Sequence, residues 1–176
     1  MAESTEQQLV PRKVPEVNTK YRRIKTAIPV PDSIPLLKQL RKHEPRSMGG
    51  QPLVVWDHAA GIQVYDQWGN KWLDWSSGVL VTNSGHNHPR IARGMIDKIK
   101  HGLVHNYCFP SAERAELTGL LADLAPQGLD KVFLLTTGSE ATECAIKLAR
   151  THGLRAGGPE KIVIVTFDNA FHGRTL

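Results

Sequence analysis

Apolar and polar positions change texture three times along the 176-residue chain, and each change predicts a different kind of structure. Up to about residue 35 there is little periodicity. Pro11, Pro15, Pro29, Pro31 and Pro35 punctuate an extended arm that needs another surface to lie on. Pro35 is placed to open a short helix with Leu36, Leu37 and Leu40 on one side and Lys38, Arg41 and Lys42 on the other. From Pro52 the runs shorten: LVVW (53–56), GIQVYD (61–66) and KWLDW (71–75), separated by Ala59-Ala60-Gly61 and Trp68-Gly69-Asn70, predict an antiparallel meander. Ile91, Met95, Ile96 and Ile99 recur at helical spacing after Pro89, predicting an amphipathic helix over 89–100. Leu117, Leu120, Leu121 and Leu124 do the same behind Ser111, a residue suited to cap a helix, with Gly128 beyond its end.

The third texture begins at Lys131. Val132, Phe133, Leu134 and Leu135 are consecutive apolar residues, as in a parallel strand covered on both faces, and IVIVTF (162–167) repeats the signal. A helix over 140–152, stopped by Gly153, separates them, so the segment predicts a βαβ unit with a right-handed crossover. Two such strands do not make a stable sheet alone. The sequence is therefore expected to be the N-terminal part of a larger α/β protein.

Between the first strand and its helix lies Thr137-Gly138-Ser139. Thr137 and Glu140 have the spacing of a capping box, with Ser139 a rival N-cap. Unpaired N–H groups and the positive end of the helix dipole converge there, a natural place for an anion such as phosphate.

Composition narrows the function classes. The net charge of +5 gathers in the arm (Arg12, Lys13, Lys20, Arg22, Arg23, Lys25), while later segments mix signs. No aromatic-interleaved basic motif accompanies it, so a solvated arm is expected rather than nucleic-acid binding. Trp56, Trp68, Trp72 and Trp75 suit packing of a small sheet better than a base-stacking platform. Cys108 and Cys144, outside any CxxC context, predict reduced thiols in the cytoplasm. MAESTEQQ lacks the layout of a signal peptide, and no run is long enough to span a membrane. His86 and His88 form a His-x-His pair, but no third ligand is evident and the flanking Gly, Asn and Pro favour a turn. No metal is expected.

Four passages, in order, resemble the class III (ω-type) aminotransferases, enzymes of fold type I that use pyridoxal 5′-phosphate. DQWGNKWLDWSSGVLVTNSGHNHPRI is similar to that family's "DxxGxxxxD" hairpin and "SG…GHxHP" passage. AERAELTGLLADLAP is similar to its next helix, TTGSEATECAIKLAR to its phosphate loop, and FHGRT to the loop after the following strand. The resemblance covers roughly residues 36–176. It implies an arm over 1–35, a small-domain segment with the meander over 36–100, and the start of the cofactor-binding domain, with the first βαβ of a large mostly parallel sheet, over 101–176.

The resemblance also implies roles. Gly138 and Ser139 bind the cofactor phosphate, Thr137 is a third contact or simply the N-cap, and Glu140 caps the helix facing away. Phe171 stacks on the pyridine ring. Arg174 pairs with a substrate carboxylate, a task that suits a planar guanidinium. Val79 lines the substrate pocket, and His172 positions its neighbours. The lysine that carries the cofactor and the acid at the pyridine nitrogen match no residue here; Lys131, Lys147 and Lys161 all stand elsewhere in the pattern, so the chain alone is expected to be inactive. The implied reaction moves an amino group from an amino acid or ω-amino acid to a 2-oxo acid, in a homodimer when full length. A decarboxylase, aminomutase or racemase on the same scaffold, and a non-catalytic phosphate-binding or interaction module, are the alternatives.

Overall fold

The computed structural model describes residues 9–175; the MAESTEQQ stretch lies outside them. The chain forms two compact units, Met1–His105 and Asn106–Leu176.

The first unit is built on a five-stranded antiparallel sheet in the order β1-β2-β5-β4-β3. The arm supplies β1 (Val17–Asn18) and β2 (Arg23–Ile24), and the meander supplies β3 (His58–Ala60), β4 (Gln63–Tyr65) and β5 (Lys71–Leu73). The arm's missing surface is therefore the edge of β5, where Arg23 pairs with Lys71. LVVW was expected to be a strand and is not one. The chain joins the sheet only at Asp57, whose N–H donates to Tyr65, so β3 occupies positions expected to be a turn.

One buried side chain explains why the arm docks. Asn70, fully buried, donates from Nδ2 to Thr26 Oγ1 (2.8 Å) and Asp66 Oδ2 (2.7 Å), and its Oδ1 accepts from Lys25 N–H (2.8 Å). Asp66 in turn accepts from the N–H groups of Trp68 and Asn70, closing the β4–β5 turn. The polar residues of the turn thus satisfy one another and the arm, while Val64 beside them forms the apolar centre together with Val30 and Leu37. The expected first helix is α1 (Ile34–His43), preceded by a single 3₁₀ turn at Pro31–Ser33, and α2 (Pro89–His101) follows the meander.

The second unit contains α3 (Ala112–Leu124) and α4 (Gly138–Gly157). Ser111 caps α3 as expected, accepting from Arg114 N–H. The segments on either side of α4 differ from expectation: among the described residues neither 132–135 nor 162–167 enters a strand ladder, and Phe133, Val163, Val165 and Phe167 are exposed. A parallel ladder needs neighbours that satisfy its N–H and C=O groups, and among the described residues none lies beside these segments. The helix also runs past its predicted stop. Gly153 does not end α4; the chain returns across it so closely that a Cβ there would lie 2.0 Å from the Lys161 carbonyl oxygen. Gly153 is required for that approach, and Gly158, at φ +84°, is the residue that ends the helix.

Candidate functional site

The turn before α4 is a complete capping box. Thr137 Oγ1 accepts from Glu140 N–H at 3.1 Å, and Glu140 Oε2 accepts from Thr137 N–H at 3.0 Å and from Thr136 N–H at 3.0 Å. The Thr136 hydroxyl also donates to Glu140 Oε2. These donors, the Thr136 hydroxyl foremost, hold the Glu140 carboxyl below the usual carboxylate range. Thr137 is thus the N-cap, and Ser139, its rival, sits inside the first turn. Glu140 spends its charge on the cap and leaves the first-turn N–H groups of Gly138 and Ser139, which the helix cannot satisfy, as donors.

The FHGRT loop lies against this turn. Ser139 Oγ accepts from Arg174 N–H at 3.1 Å, and the Thr175 hydroxyl donates to Glu143, one turn along α4. The structure thus brings together Thr137, Gly138, Ser139 and the backbone of Arg174, residues 35 positions apart in the case of Ser139 and Arg174. Phe171 and His172 face elsewhere. They line a cavity of about 650 Å³ on the flank of α4 with Ile146, Arg150, Ile162 and Ile164, a cavity that the Thr137–Ser139 turn does not border. Phe171 is 83% exposed.

Val79 belongs to the first unit, in the turn Ser77–Leu80. Ser77, Gly78, Val79 and Leu80 have φ of 51°, 60°, 63° and 65°, a left-handed turn that costs non-glycine residues about 1–2 kcal/mol each. Asp74 holds it. Its Oδ1 accepts from Ser76 N–H (2.9 Å) and the Ser76 hydroxyl (2.6 Å), and its Oδ2 accepts from Gly78 N–H (2.7 Å) and faces His86 Nε2 (2.7 Å). The Ser76 hydroxyl, then His86 and the Gly78 and Ser76 N–H groups, drive the Asp74 carboxyl far below the ordinary range against the opposing effect of burial. His86 is therefore committed to Asp74. His88, the other half of the His-x-His pair, precedes Pro89 as the residue before α2. Among the described residues no cluster of three metal-capable side chains occurs.

Sequence reasoning met His86 only as half of a His-x-His pair and Asp74 only as the last position of the hairpin motif, and gave Glu143 no role. For Asp74 a signal existed: a carboxylate two residues before a serine and four before a glycine is the spacing at which Asp side chains capture turn N–H groups. No local signal marks Glu143, whose partner lies 32 residues away.

A profile described as Aminotransferase class-III matches residues 46–176. The chain belongs to the class III aminotransferase family. Among its curated relatives, an acetylornithine aminotransferase from Agrobacterium fabrum is 37% identical over 123 residues, covering 68% of this chain and 30% of that protein. Among solved structures, ornithine δ-aminotransferase from Plasmodium falciparum is 29% identical with a TM-score of 0.62, over 73% of this chain and 33% of that one. Acetylornithine aminotransferase from Elizabethkingia anophelis is 28% identical with a TM-score of 0.59, over 72% and 32%. The chain thus spans about a third of the length of the class III enzymes it matches, and its architecture is their α/β N-terminal portion.

Class III aminotransferases depend on pyridoxal 5′-phosphate, and the start of α4 has the chemistry a phosphate needs. The first-turn N–H groups of Gly138 and Ser139 have no partner within the helix, and a Cβ on Gly138 would meet nothing within 4 Å, so the backbone there is open to approach. Glu140, the nearest carboxylate in sequence, is turned back onto the cap.

Proposed function

We propose that this chain supplies the phosphate anchor of a pyridoxal 5′-phosphate-dependent aminotransferase that moves an amino group from an ω-amino acid or amino acid to a 2-oxo acid. The observation that carries the reading is the attachment of the Arg174 backbone to Ser139 Oγ at the first turn of α4, because it joins an anion-ready helix start to the loop bearing Phe171 and Arg174. When bound, the cofactor supplies an electron sink for charge that develops on the substrate carbon. Gly138 and Ser139 hold its phosphate, and Thr137 supports them as N-cap. By the family resemblance Phe171 stacks on the heterocycle, a contact worth on the order of 1 kcal/mol beyond area burial, and this role requires the 171–173 segment to turn its ring from the α4 flank toward the phosphate turn. Arg174 pairs with a substrate carboxylate and His172 positions its neighbours. Val79 lines the substrate pocket.

The names of the relatives, acetylornithine and ornithine aminotransferases, favour a donor with both an ω-amino group and a carboxylate, for which Arg174 is the matching cation. No lysine of this chain is assigned to carry the cofactor, so the 176-residue chain by itself is expected to show no amino transfer. The full protein is read as a cytoplasmic homodimer.

The test uses that full protein. Ser139→Ala should weaken pyridoxal 5′-phosphate binding by about tenfold, as expected for one charge-assisted hydrogen bond. Arg174→Ala should raise KM for carboxylate-bearing donors by about tenfold or more. A protein that moves no amino group from any ω-amino or α-amino acid to a 2-oxo acid sinks the reading.

A further inference from the structure

Ser139 is engaged from two sides. A hydroxyl accepts on its lone pairs and donates a single hydrogen. One lone pair accepts from Arg174 N–H at 3.1 Å, which leaves the hydroxyl hydrogen free to donate to another group. The loop presses on the same residue: a Cβ on Gly173, whose φ is +120°, would lie 2.8 Å from Ser139 Oγ, 2.9 Å from its Cβ and 3.0 Å from its Cα. One turn further along α4, Glu143 accepts the Thr175 hydroxyl on Oε1 and Lys147 Nζ on Oε2, the latter at 3.3 Å. Three successive loop residues are thereby fastened to one face of the helix: Gly173 by close approach, Arg174 by its N–H and Thr175 by its hydroxyl.

We propose that Ser139 and Glu143 form a latch that couples anion binding at the first turn of α4 to ordering of loop 171–175, with Glu143 the positioning residue for Arg174. The physical link is the Ser139 hydroxyl rotor. An anion at the helix start takes the hydroxyl hydrogen and fixes the rotor with a lone pair toward Arg174 N–H. Without the anion the rotor also samples orientations in which its hydrogen meets that N–H, and the loop loses one of its attachments. By linkage the converse holds with the same free energy: a latched loop presents Ser139 ready to donate, so it strengthens anion binding. Glu143 touches neither anion nor substrate. It acts by holding Thr175, so that Arg174 is fixed on both sides and its guanidinium is delivered from a defined backbone position. The proposal rests on the phosphate-anchor reading above.

Amide hydrogen exchange on the full protein, with inorganic phosphate as the probe, separates the two. Saturating phosphate is expected to slow exchange in the segment 136–143 and in the segment 168–175, each by on the order of tenfold, within the usual range of couplings between sites. Glu143→Ala should keep the phosphate response of 136–143, which also certifies a folded helix, and lose that of 168–175. Glu143→Gln, whose amide oxygen still accepts from the Thr175 hydroxyl, should restore it. Protection of 136–143 alone in the wild-type protein overturns the coupling and leaves the anchor intact. An undiminished response of 168–175 in Glu143→Ala overturns the role of Glu143. Protection of neither segment overturns the anchor and the coupling together.

Discussion

Asp74 and His86 meet at 2.7 Å with both side chains largely withdrawn from solvent, 3% and 14% exposed respectively. The pair closes the Ser77–Leu80 turn against the chain that leads to α2, and that chain is itself tied down by reciprocal backbone hydrogen bonds between His86 and Gly61. Asp74 thus joins the end of the meander to both flanks of the left-handed turn, and removing it releases four donors at once.

Asp74→Asn keeps the shape but halves the acceptor capacity and removes the charge. Hydrogen bonds to charged groups contribute about 1.5–3 kcal/mol each, so a loss of roughly 3 kcal/mol is expected. His86→Ala leaves the three other donors on Asp74 and should cost less, about 1–2 kcal/mol. Urea denaturation of both variants checks the order; His86→Ala proving the more damaging would contradict the central place given to Asp74.

The same carboxyl sets a pH dependence. Its pKa is lowered by folding, as are those of Glu140 and Glu143, so between the ordinary carboxylate value of about 4 and the folded values the unfolded chain binds more protons than the native one. The stabilisation is therefore fully present above about pH 5 and is lost progressively as pH falls below about 4. Asp74 dominates, because Glu140 and Glu143 are solvent-screened. Denaturation midpoints measured from pH 7 down to pH 3 should fall, and the fall should be shallower in Asp74→Asn. A fall of equal steepness in the variant would assign the effect to other carboxylates.

Val79 tests whether strain in that turn serves the site. It is 77% exposed with φ +63° and ψ +61°, a conformation that β-branched residues avoid and glycine adopts readily. Little burial is at stake. Val79→Gly is expected to stabilise the folded protein by up to about 1 kcal/mol, the relief of one left-handed non-glycine residue less the added freedom of the unfolded chain. If Val79 lines the substrate pocket, the same substitution raises KM for the amino donor with kcat little changed. Stability and KM measured on one preparation give both outcomes.

How far the sequence could be read follows from how local each device is. The capping box at Thr137 and Glu140, the Ser111 cap and the Pro89 start of α2 depend on residues three or four positions apart, and all are visible as spacing. Docking of the arm onto β5 was not visible, because Asn70 reads as a turn residue and its partners Lys25 and Thr26 lie 45 and 44 positions away. The apolar runs at 132–135 and 162–167 state a preference for burial but do not name a strand partner, and among the described residues they have no ladder. Gly153 illustrates the ambiguity of a lone glycine: a helix stop and a site of close backbone approach look identical in sequence. Phe171 and Arg174 are singled out only by the family resemblance, whereas the attachment of their loop to Ser139 and Glu143 joins residues 35 and 32 positions apart and leaves no local spacing to read.

Gly153 also gives the most direct check on the packing of the second unit. It is buried in mid-helix, where alanine would ordinarily be favoured over glycine by about 1 kcal/mol. Propensity alone therefore predicts that Gly153→Ala stabilises. The structure predicts the reverse, because a methyl group would stand 2.0 Å from the Lys161 carbonyl oxygen and the backbone return over 158–161 would have to move. Overpacking of this kind typically costs about 1–3 kcal/mol. Thermal denaturation decides between them: a lowered midpoint upholds the close return of the chain across α4, and a raised one shows that residues 158–161 do not lie on Gly153.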